Sequence, residues 1–112
     1  MSQSKNFLEE SSLEWEQLND GMRRQILGYD DQIMMVKIKF MTGAEGVVHS
    51  HVHSQCSYVV SGIFEFNING ENKIVKAGDG LYMEPNVIHG VKCLEAGLLI
   101  DTFSPVRSDF LK

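Results

Sequence analysis

The stretch HSHVHSQ, residues 49–55, decides how the chain folds and what it can hold. Three of the four histidines and a glutamine occupy alternate positions of it. Residues two apart on an extended strand point the same way, so His49, His51, His53 and Gln55 share one polar face if the strand is regular. An isolated His-x-His pair is ordinarily a solvated surface feature, but this one has a regular setting. Gly43, five residues, His49, one, His51, three, Gln55, six, Gly62 is the spacing around it. Further on, AGDGLYMEPNVIHGVKC (77–93) carries Gly78, Asp79 and the fourth histidine, His89.

Outward from these segments the chain reads as short strands punctuated by glycine and Asn/Asp clusters, the pattern of an all-β sandwich or barrel. QIMMVKIKF (32–40) puts Met34, Val36, Ile38 and Phe40 on one face and Lys37 and Lys39 on the other, as a half-buried strand requires. The methionine pair there is read as core. LGYDD (27–31) fits the turn of a preceding hairpin. GIFEFNINGENKIVKAGDG (62–80) reads as two strands joined at Asn69 and Gly70, residues that tolerate the positive φ of a tight turn. GLYM (80–83) and AGLLIDTF (96–103) supply later strands. Before the strands, SSLEWEQLNDG (11–21) offers Ser11 and Glu14 as a capping box for a short helix ended by Asn19, Asp20 and Gly21. The expected organisation is an N-terminal segment, 1–20, and a barrel, 21–112.

Composition narrows the function classes. The 112 residues are the size of one domain, long enough to bury a core without disulfides. A net charge of −5, with no run of Lys or Arg, offers a nucleic-acid backbone little to bind. Cys56 and Cys93 are too few and too isolated for a disulfide framework or a Cys-x-x-Cys zinc site, and are read as reduced thiols. The amino terminus lacks the basic and apolar regions of a signal peptide, and no apolar run reaches the ~18 residues of a spanning helix. The compartment expected is the cytoplasm, with neither nucleic acid nor membrane as partner.

The spacing around HSHVHSQ resembles the first motif of the cupins, with Gln55 where those proteins usually have Glu. The second cupin motif is similar to the segment from Gly78 to Cys93, and its histidine falls on His89. The proline, glycine and asparagine positions of that motif are Glu84, Asn86 and Cys93 here, with Pro85 one residue later. The resemblance implies a single-domain, double-sheet, jelly-roll-like β-barrel. It also implies one divalent transition metal (Zn, Ni, Fe, Co or Mn) held by His49, His51, Gln55 and His89. Imidazole suits such ions, and four neutral ligands leave coordination positions open and the ion's charge intact, which favours anionic, oxygen-rich ligands. His53 fits neither motif and is read as a pocket-rim or surface histidine, or else a fifth ligand or proton carrier.

LLIDTFSPVRSDF (98–110) is the second informative stretch, because Asp101 interrupts an otherwise buried run and a buried carboxylate needs a partner or a task. If Leu99, Asp101 and Phe103 share the inner face, an acid and an aromatic wall stand near the metal. Arg107 beyond Pro105 is then placed to bind a carboxylate bidentately, although Asp101 and Arg107 pairing with one another is the plainer alternative. Nearly everything after Trp15 resembles the small pectin-degradation cupins of the KdgF type, whose three-His, one-Gln ligand set falls on the four residues above. Their acid, aromatic and arginine fall on Asp101, Phe103 and Arg107. That resemblance implies metal-dependent opening of the ring of 4,5-unsaturated monouronates, from pectin or alginate breakdown, to the linear keto acid. Asp101 is the candidate general acid/base, and the partner is a small anionic sugar acid. The alternatives are a cupin dioxygenase, which would consume oxygen, and a non-catalytic sugar-acid-binding cupin, which would bind a uronate without turnover. A homodimer is compatible with the resemblance.

Overall fold

The structure, a computed structural model, describes residues 2–111. Among them the strands are β1 (Glu16–Asn19), β2 (Met22–Tyr29), β3 (Met34–Phe40), β4 (Glu45–His49), β5 (Ser54–Ile68), β6 (Glu71–Lys76), β7 (Gly80–Met83) and β8 (His89–Ser104), with 3-10 turns at Glu10–Ser12 and Ser108–Leu111. All pairings are antiparallel. None of the described segments is a helix long and apolar enough to cross a membrane.

The long strands β5 and β8 run side by side and each serves two sheets. The first half of β5 and the second half of β8 lie between β7 and the β3–β2–β1 series. Their other halves lie between β6 and β4. The change of sheet falls where the β5–β8 register shifts, between Val59 and Phe64. Glycine is required there: a Cβ on Gly97 would stand 2.0 Å from the Ser61 carbonyl oxygen, and Gly62 has φ +87°. Two strands that turn a corner together give the double-sheet barrel.

The interior follows from side-chain alternation. Met34, Val36, Ile38 and Phe40 are buried on one face of β3, as their spacing requires, while the other half of the methionine pair, Met35, is exposed. Phe40 meets Phe64 edge to face at 5.1 Å between ring centres. The β5–β6 turn has φ +52° at Asn69 and +85° at Gly70, the left-handed pair expected of an Asn-Gly hairpin.

Two expectations are corrected. The N-terminal helix does not form: beyond the 3-10 turn the segment is extended, and β1 pairs with β2 through Glu16↔Arg24 and Gln17↔Arg23. The buried Gln25 on β2 fixes that course by donating from Nε2 to the carbonyls of Glu10 (3.1 Å) and Leu13 (3.3 Å), and Glu16 pairs with Arg24 at 2.8 Å. Tertiary partners outweigh a weak local helix signal. Nor is 49–55 one regular strand, since β4 ends at His49 and β5 begins at Ser54, with the chain bending between them.

Candidate metal centre

The bend brings the histidines together by another route. His49 closes β4 opposite His89, which opens β8, so these two are register partners. His51, in the loop, completes the group: ring centres are 4.5 Å apart for His49–His89, 4.9 Å for His51–His89 and 5.5 Å for His49–His51. One nitrogen from each lies within 4.8 Å of the others, a cluster that could hold a metal ion. The loop is tied down from the second motif, where the Asn86 N–H donates to the His51 carbonyl at 2.7 Å. Asn86 has φ +68°, so at a glycine position it adopts the left-handed backbone that asparagine tolerates better than most residues.

Proton placement in the cluster is set by backbone carbonyls. Nδ1 of His49, His51 and His89 lies 2.7, 3.0 and 3.0 Å from the carbonyl oxygens of Val47, His53 and Val87. Carbonyls accept only, so each Nδ1 carries a proton, and in the neutral ring that a metal ligand requires Nε2 is left as a lone pair. Burial also pushes the His89 pKa down, which keeps its ring neutral. Nε2 of His51 then faces another acceptor, Oε1 of Gln55, at 2.9 Å. Two lone pairs at that separation repel unless a cation lies between them, and donors bound to one first-row divalent ion stand about 3 Å apart. The residues present therefore fit a divalent ion.

A cavity of about 340 Å³ opens beside the cluster, lined by His49, Gln55, His89, Asp101, Phe103 and Arg107 among others. Leu99, Asp101 and Phe103 do share the inner face of β8, each less than a tenth exposed. Burial pushes the Asp101 pKa from 3.8 up to about 6, against the opposing effects of the neighbouring Ser57 and Gln55 side chains and the charge of Arg107. The direct Asp101–Arg107 pair does not form. Asp101 Oδ1 accepts from Ser57 Oγ at 2.6 Å, while Arg107 donates from Nε and Nη2 to Asp109 at 3.1 and 2.9 Å. That fork also holds the Asp109 carboxyl below its ordinary pKa. The Arg107 guanidinium lies over Phe110 (4.3 Å) and Phe103 (5.1 Å), and Nη1 takes no part in the tie to Asp109. His53 stands outside the cluster with its buried Nδ1 unpartnered among the described residues, and burial lowers its pKa.

Three further residues shape the site. Ser57 joins Gln55 to Asp101; its place two residues after Gln55 on the same strand face was the available signal. Arg24 lines the cavity and lies 3.7 Å from the Phe110 ring centre, giving the wall a second guanidinium. Nothing local in sequence marks Arg24 or Phe110, which reach the pocket from opposite ends of the chain.

Comparison with known proteins gives concordant results. Residues 36–101 match the cupin domain family. The chain is 50% identical over 99 residues to the pectin degradation protein KdgF of Dickeya dadantii (strain 3937), covering 87% of this chain and 90% of that protein. Among solved structures, an RmlC-like cupin from Shewanella frigidimarina NCIMB 400 superposes with a TM-score of 0.95 at 49% identity, covering 98% of this chain and 99% of that one. KdgF from Halomonas sp. superposes with a TM-score of 0.91 at 35% identity, covering 96% and 99%.

Proposed function

The chain is a cupin and belongs with the KdgF pectin degradation proteins, and from that membership we propose that it opens 4,5-unsaturated monouronates to the linear keto acid. The observation that carries the reading is the buried carboxyl of Asp101, raised to about 6, on the cavity wall that also bears the histidine cluster. An acid of that pKa is mostly ionised at neutral pH and still readily reprotonated, which suits a group that must both take and return a proton.

The reaction is an isomerisation and needs no co-reactant. Asp101 takes the proton of the anomeric hydroxyl as C1=O forms and the bond from C1 to the ring oxygen breaks. The electron pair passes to that oxygen, giving the enolate of C5 and C4. The proton returns at C4, leaving a ketone at C5. Arg107, through its Nη1 side, anchors the uronate carboxylate, and Phe103 with Phe110 covers the apolar face of the ring. His49, His51, Gln55 and His89 would hold a divalent cation, which supplies positive charge against the developing enolate. Arg107→Lys keeps the charge but loses the planar fork, so it raises KM more than it lowers kcat.

The decisive experiment mixes purified, metal-analysed protein with 4,5-unsaturated galacturonate and follows loss of the enol-ether absorbance. Accelerated loss, with the linear keto acid as sole product, is expected. Tight binding without turnover would replace this reading with a sugar-acid-binding cupin, and oxygen uptake with a dioxygenase.

A further inference from the structure

Ser57 sits between the two functional groups of the pocket. It lies on β5 directly across from Asp101 in the β5–β8 register, and only 4% of it is exposed. Its Oγ is 2.6 Å from Asp101 Oδ1 and 3.1 Å from Gln55 Nε2, and Gln55 Oε1 in turn lies 2.9 Å from His51 Nε2. A line of three side chains thus runs from the buried acid to the histidine cluster.

The line has a direction. A carboxylate only accepts, so the Ser57 hydroxyl directs its one proton to Asp101. The hydroxyl oxygen then has only lone pairs to offer Gln55, and it must be met by the amide NH2. The amide carbonyl is thereby turned to the far end, toward His51. The two ends of a glutamine amide are nearly equal in size and opposite in sign, and the last torsion of the side chain is broad. Only the oxygen end can ligate a cation.

We propose that Ser57 is a positioning residue for the metal centre, relaying the sign of the Asp101 carboxylate to Gln55 so that the amide oxygen, not its NH2, faces the histidine cluster. The inference rests on metal binding by His49, His51, Gln55 and His89. On this view the buried acid has a second task, selecting the fourth ligand atom at a distance. It also accounts for a serine at an inward position of β5, where the next inward residue, Val59, is fully buried and apolar. Threonine would preserve the relay, whereas alanine would break it and free the amide to turn.

The test uses the full chain, stripped by chelator and titrated with Co²⁺ against a competing chelator, so that affinity and the visible absorption of the bound ion are read without substrate. Ser57→Ala should weaken Co²⁺ binding by about tenfold, the lower end of what loss of a ligand-orienting partner costs. Ser57→Thr should restore affinity to within about threefold, because the hydroxyl is kept. In a Gln55→Ala background, Ser57→Ala should have almost no further effect, since its action passes through the amide that is gone. A merely structural Ser57 would lower the melting temperature while leaving Co²⁺ affinity and absorption unchanged, or would add its full effect to that of Gln55→Ala; either result overturns the proposal. If Ser57→Ala does not fold, Ser57→Cys, close in size but a weak hydrogen-bonder, answers the same question. Absence of Co²⁺ binding by the unsubstituted chain overturns the metal reading itself, an outcome distinct from a wild-type affinity in Ser57→Ala.

Discussion

The two halves of the β5–β8 pair bury inward side chains by opposite means. Where β5 carries Phe64 and Phe66 and β8 carries Cys93, the interior is closed by apolar contact, with Phe40 and Phe64 edge to face. Where β5 carries Gln55 and Ser57 and β8 carries Asp101, equally buried side chains are polar and satisfy one another. The same alternation on the same strands produces both. Packing closes the interior around Phe64 and hydrogen bonding closes it around Ser57, so a substitution at Phe64 should cost stability and one at Asp101 should cost chemistry; His89, although paired with Ile68, belongs with the cluster.

The largest effect expected is at the cluster. A His49→Ala, His51→Ala variant should fold yet contain no metal by elemental analysis, and its turnover should fall to background. Wild-type metal content in that variant would remove the site. Next comes Asp101→Asn, which keeps size and most hydrogen bonding while abolishing proton transfer. Turnover of the uronate should drop by roughly 10² to 10⁴ with metal content retained. A destabilised but fully active variant would return Asp101 to a structural role. Across the barrel, Phe64→Ala should lower unfolding free energy by about 3–5 kcal/mol in denaturant titrations, because it empties a fully buried aromatic site. The folded fraction should keep its metal and its kcat; loss of metal from that fraction would erase the contrast between the halves.

The contrast also explains what was legible in the sequence. Apolar alternation at Met34, Val36, Ile38 and Phe40 and the Asn69–Gly70 turn each report local geometry and appear where expected, whereas the alternation of His49, His51 and His53 does not, because the chain bends between β4 and β5 and it is His89 that joins His49 and His51. The inward-facing Leu99, Asp101 and Phe103 were legible, as on β3, from alternation. Ser57 was legible only as a neighbour of Gln55 on the same strand face, because its role has no meaning until Asp101, paired with it in register, supplies one. The N-terminal helix failed for a related reason: Ser11 and Glu14 form a local pattern, but Gln25 and Arg24 on β2 supply the partners that hold the segment extended. Arg107 was expected near the pocket and lies there, yet its tie to Asp109 rather than Asp101 depends on the turn after β8, which no spacing rule gives.

The smallest effect separates the halves by pH. Burial raises the Asp101 pKa to about 6, whereas in the unfolded chain it should titrate near the ordinary 3.8. Between those values the folded protein binds a proton that the unfolded chain lacks, so this group adds stability at low pH and that stability is lost as pH rises from about 4 to about 6. Two pKa units correspond to at most about 3 kcal/mol. Asp109, whose pKa is lowered by Arg107, acts with the opposite sign, its contribution disappearing as pH falls. The difference between two chains isolates the buried acid from such groups. Denaturant titrations of chelator-treated wild type and Asp101→Asn at pH 4.5 and pH 7 should show wild type gaining on the variant as pH falls. Chelation matters, because a cation in the cluster would favour the ionised carboxylate. Phe64→Ala, in the half closed by packing, should follow the wild-type pH trend at a uniformly lower stability. A wild-type minus Asp101→Asn difference that stays flat across this range would show that Asp101 titrates as an ordinary carboxylate, and the polar half would then lack the buried acid on which the proposed proton transfer depends.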